Sequence, residues 1–105
     1  MKADLLHQEF EPRRVPLDPN RFLLAPHDAL DLIDRASEEG VPIVSVNVVQ
    51  LIADRSEPLA PPADFSAGVA GGHGCWTDAE AFIRSRAERP VAFELTLGDD
   101  PLEVV

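Results

Sequence analysis

Apolar positions recur along the chain at two different periods. Between Pro26 and Gly40 they fall at Ala29, Leu30, Leu32, Ile33 and Ala36, the spacing of one helical face. Pro26 suits a first helical position, Asp28 and Asp31 lie near the positive end of the macrodipole, and Gly40 supplies a left-handed stop. The pattern predicts a helix over 26–39. From Val41 to Ile52 the residues become densely β-branched, which predicts a strand apolar on both faces and therefore central in its sheet. Strict alternation puts Val44, Val46 and Val48 on one face, and Ile43, Val49 and Leu51 on the other, with Ser45 and Asn47 among them. A second helix is predicted from Thr77 to Arg89, opened by the capping box Thr77-Asp-Ala-Glu80, with Trp76 as a staple before it and Pro90 after it. Ala79, Phe82, Ile83 and Ala87 form its apolar face. The clearest period of two comes last: Val91, Phe93, Leu95 and Leu97 face one way, and Ala92, Glu94 and Thr96 the other.

The remaining segments show no such period. Pro12, Pro16 and Pro19 cut residues 1–25 into pieces and predict an irregular N-terminal arm. Its short extended runs, Arg14–Leu17 and Arg21–Leu24, could pair at a sheet edge. Residues 53–76 are rich in Pro and Gly and read as one long loop, while Gly98–Pro101 reads as a turn before a short tail. These elements predict a single α+β domain over 1–105: a small two-layer sandwich with two main helices packed on one sheet of about three to five strands. Strands 43–51 and 91–97 are expected as neighbours. They would be parallel through a crossover over the second helix, unless the long loop supplies another strand.

Composition narrows the function classes. The chain has 105 residues, is 45% hydrophobic, and carries 19 Asp and Glu against 9 Lys and Arg, a formal net charge of −10. Such a balance disfavours nucleic acid and anionic membranes, whose phosphates need clustered cations. Cys75 is the only cysteine, which excludes an intrachain disulfide and fits a reducing, cytoplasmic setting. The N-terminus lacks the continuous apolar run of a signal peptide, and the stretch Val41–Ile52 is too short and interrupted to span a bilayer.

Candidate chemistry is sparse. His73 and Cys75 flank Gly74 as a thiol–imidazole pair, the starting point for a minimal enzyme. No third group is evident to orient the histidine, and His7 and His27 lie on other segments, so neither catalysis nor a metal site is expected. The Gly68–Gly74 run matches no phosphate-binding fingerprint, has no Lys beside it, and precedes Asp78 and Glu80, which repel phosphate. No cofactor is expected. The more useful cluster is acidic. Asp31, Asp34 and Glu38 stand at i, i+3 and i+7 on the first helix, flanked by Asp28 and Glu39. Like charges at this spacing weaken a helix slightly, so the stripe reads either as a solvated face or as a surface steering a basic partner.

The segment Asp28–Gly40 with the strand that follows it, and Trp76–Ile83 with Val91–Leu97, together resemble the bacterial toxin-immunity proteins. The likeness is to the immunity proteins of tRNA-cleaving ribonuclease colicins and related polymorphic-toxin immunity domains. The resemblance implies a non-enzymatic, stoichiometric inhibitor that covers the cleft of a basic nuclease toxin, with carboxylates standing in for RNA phosphates. The expected contact residues are Asp28, Asp31, Asp34, Glu38, Asp64, Asp99 and Asp100, with Trp76 as an aromatic anchor if it is exposed. The alternative is an accessory docking or oligomerising domain, which exposed apolar positions on the last strand would favour.

Overall fold

The computed structural model describes residues 2–15, 21–52, 55–58, 62–86 and 91–98, with the side chains of 2, 52 and 55–58 left aside. It is the expected α+β arrangement: a helical layer on one face of a four-stranded sheet. In chain order the elements are α1 (Lys2–Phe10), a 3-10 turn (Glu11–Arg13), α2 (Pro26–Glu39), β1 (Ile43–Ile52), β2 (Arg55–Pro58), β3 (Ala63–Asp64), α3 (Ser66–Ala70), α4 (Trp76–Arg86) and β4 (Val91–Leu97).

Helix α2 forms as its sequence dictates. Ala25 is extended, Pro26 opens the helix, and the Ala29 N–H reaches the Ala25 carbonyl at 2.9 Å. At the other end Gly40 takes φ +74°, its N–H bonds the Ser37 carbonyl, and the Val41 N–H bonds the Ala36 carbonyl at 2.8 Å. These paired bonds satisfy carbonyls that the helix itself leaves open. Ala29, Leu32, Ile33 and Ala36 are buried.

Strand β1 is central, with β4 antiparallel along one edge and β2 and β3 antiparallel along the other. The two strands are neighbours as expected but not parallel, because the long loop supplies the further strands β2 and β3. Beyond β1 the chain doubles back through β2 and β3 along β1, so that the Ile43 N–H bonds the Gly74 carbonyl at 2.9 Å, at the strand's start. Helix α4 then carries the chain to the far end, where Val91 pairs with Gln50 and β4 runs back to place Leu97 opposite Ile43. A bulge between Ile43 and Ser45 shifts the phase of β1. Ile43 therefore joins Val46 and Val48 in the main core, instead of facing away with Val49.

The N-terminal arm is also corrected. Residues 2–10 are helical, and Ala3, Leu6 and Phe10 join the main core cluster, with α1 packed on α2. Of the two extended runs, Leu24 pairs with Phe93 at the outer edge of β4, and the Val15 N–H meets the Leu23 carbonyl at 2.7 Å. On the sheet face away from the helices, Leu23, Val49 and Ala92 form a second, small cluster. Among the described residues, no helix is long and apolar enough to cross a membrane.

Candidate protein-binding face

The segments that form α1, the 3-10 turn and α2 carry an excess of negative charge. Residues 2–15 and 26–40 hold eight carboxylates against four cationic side chains. Helical spacing brings Asp28, Asp31, Asp34 and Glu38 onto one element, as expected. Two arginines are interleaved with them. Arg13 Nη1 lies 2.8 Å from an Asp31 oxygen and 3.4 Å from Asp28 Oδ1. Arg35 reaches Glu38 Oε2 at 2.6 Å and grips both oxygens of Glu9, at 2.9 and 3.2 Å. That grip holds the Glu9 carboxyl below its ordinary range, through the hydrogen bonds from Arg35 first. It also holds the Arg35 guanidinium charged. Asp34 stands exposed between the two bridges, and among the described residues it has no ion-pair partner.

The other expected contacts lie elsewhere. Asp64, on β3, pairs in register with Ser45, which the pleat sets on the sheet face away from the helices. Its Oδ1 accepts the Ser66 N–H at 2.9 Å, and hydrogen bonds from the Ser66 side chain and backbone hold its carboxyl below the usual range. Asp64 thus starts α3 and does not join the stripe. Trp76 is not a free anchor. Its Nε1 donates to the Val41 carbonyl at 2.7 Å and its ring lies against Gly74, where a Cβ would come within 2.2 Å of it. The indole pins the head of α4 to the turn after α2. Asp99 and Asp100 lie outside the described residues.

The capping box at Thr77 does not form. Helix α4 begins at Trp76, the Ala79 N–H bonds the Cys75 carbonyl at 3.0 Å, and Glu80 binds Arg84 instead. Cys75 itself adopts φ +62°, an unusual conformation for a residue with a side chain. His73, Cys75, Trp76 and Asp78 line an open cleft of about 320 Å³. Burial first, then the charge of Asp78, pushes the Cys75 thiol up from its ordinary value, away from the thiolate that a nucleophile requires. The Sγ–H contacts are to the backbone carbonyls of Phe65 and His73, both at 3.8 Å. Among the described residues, no group of three His, Cys, Asp or Glu is placed to hold a metal ion.

Sequence reasoning missed Arg13 and Glu9 as members of the acidic face. The signal for Glu9 was present, since Ala3, Leu6 and Phe10 repeat at helical spacing. Arg13 meets α2 only through tertiary packing, which no local pattern announces. Compared with protein-family models, curated proteins and solved structures, the chain finds no match in any of the three.

Proposed function

We propose that the chain is a non-enzymatic acidic binding protein whose α1–α2 face docks a basic protein, and that this partner is a nuclease toxin held inactive by the complex. The observation carrying this reading is the excess of carboxylates on that face, which persists after Arg13 and Arg35 have formed their bridges. Those bridges also fix where Asp31 and Glu38 stand, which lowers the ordering cost of binding a cationic surface. Burial pushes the Cys75 thiol up from its ordinary value, which lends no support to a nucleophilic role. The docking-domain alternative looked to exposed apolar positions on β4, and Val91, Phe93, Leu95 and Leu97 are all buried.

The test begins with the adjacent reading frame, where a secreted protein ending in a basic nuclease domain is expected. That domain should associate with this chain at a rate that falls steeply as salt rises. Charge reversal at Asp31 and Asp34 together should slow association by about tenfold or more while leaving the fold intact. A complex indifferent to both salt and charge reversal overturns the electrostatic reading.

A further inference from the structure

Within the acidic face lies a feature that charge alone does not explain. Leu5, on α1, is 62% exposed, and among the described residues it is the one large apolar side chain left so open to water. It borders a cleft of about 150 Å³ between α1 and α2, lined by Leu5, Leu6, Glu9, Arg35 and Glu39. The volume decides what could enter. Small-molecule and cofactor sites run to about 300–1,000 Å³, whereas a cavity of about 150 Å³ accepts a group the size of a benzene ring. The cleft therefore suits a single apolar side chain. Its rim is anionic: Glu9 and Glu39 stand on either side of Arg35, whose own charge is already shared with Glu9, Glu38 and Glu39. An apolar floor inside a charged rim is the anatomy of an interface hot spot.

We propose that this α1–α2 seam is the anchor site of the acidic face, taking one leucine-sized side chain from a partner segment whose flanking residues are lysine or arginine. The proposal rests on the reading above and specifies the partner's chemistry: an amphipathic basic segment, recognised by carboxylates around a hydrophobic insertion. Charge would set the rate of encounter and the seam the lifetime of the complex.

A synthetic amphipathic helix of leucine and lysine serves as the probe, and the same peptide with alanine for leucine is its control of equal charge. Fluorescence anisotropy should show the leucine peptide binding roughly tenfold more tightly, the scale expected for burying much of one leucine side chain. Leu5→Gln should bring the two peptides level, and Leu5→Met should keep the preference. Both variants are expected to melt like the wild type, because Leu5 contributes little to the core. Asp34→Arg should weaken both peptides alike. Equal affinity of the wild type for the two peptides, or a preference that survives Leu5→Gln, overturns the seam while the acidic-face reading stands. Binding indifferent to salt and to Asp34→Arg overturns that reading instead. A dimer by sedimentation that Leu5→Gln dissociates would mean the seam receives a second copy of this chain, and the proposal would be wrong.

Discussion

The Glu94 carboxylate is drawn partly out of water on the sheet face away from the helices, and burial alone would raise its pKa. The groups around it reverse that shift. Arg21 Nη2 and Asn47 Nδ2 each donate to Oε1 at 3.0 Å, the backbone of Phe22 contributes a further hydrogen bond, and the net result lies below the ordinary value of 4.5. A group with a lowered folded pKa adds stability above its unfolded value and gives it up as pH falls through the folded one. The network should therefore contribute fully at neutral pH and weaken once pH drops below about 4.5. Glu94→Gln keeps the shape and removes the charge. Urea melts at neutral pH should show a loss of about 1–2 kcal/mol, the scale of a charge-assisted hydrogen bond in a partly buried site. The gap to the wild type should shrink steadily in melts taken toward pH 3. A gap that stays constant with pH would assign the loss to packing and not to the carboxylate.

At the scale of elements, α1 shows how local and tertiary signals divide the work. Phe10 is 2% exposed and packs with Leu32 and Ile33 in the main core, so α1 is structural on one side and open on the other. Phe10→Ala should cost about 3–5 kcal/mol in denaturant unfolding, the range for deleting a buried aromatic side chain. A loss below about 1 kcal/mol would mean that α1 detaches without consequence to the core. The sequence signals of α1 and α2 differ in kind. In α2 the apolar stripe, the opening proline and the closing glycine all agree within one stretch. In residues 1–25 the prolines at 12, 16 and 19 mask the helical signal, although all three follow Phe10 and leave the Ala3–Leu6–Phe10 stripe unbroken. β4 was legible because its alternation is uninterrupted, whereas in β1 the bulge near Val44 moved Ile43 to the opposite face from that which strict alternation predicts. β2 and β3 carry no apolar alternation to read: β2 folds straight back along the end of β1, with Arg55 opposite Ile52, and β3 pairs farther up the strand with Ser45 and Val46. The acidic stripe was legible for the same reason as α2. The bridges from Arg13 and to Glu9 were not, because those two residues arrive from elements whose packing against α2 is non-local.

Over the whole molecule, the net charge of −10 and the few arginine bridges make opposite demands of salt. The bridges are attractive, mostly exposed, and individually worth little; screening removes part of that. Repulsion among the unmatched carboxylates is long-ranged and screening relieves it. Their reach decides which prevails. The radius of gyration is 13.2 Å, so at about 0.01 M salt, where the screening length is about 30 Å, most charges lie within reach of one another. At about 0.15 M the length falls to about 8 Å, leaving the contact pairs near Arg13 and Arg35 largely intact while distant carboxylates cease to interact. The chain should therefore melt at a higher temperature at about 0.15 M than at about 0.01 M salt. Arg13→Gln should steepen that dependence, because it leaves Asp28 and Asp31 without the guanidinium that spans them. Thermal melts across a sodium chloride series measure both slopes. A wild type that loses stability as salt rises would mean that its ion pairs outweigh its self-repulsion, and the acidic face would then be a neutralised structural surface with little field left to attract a basic partner.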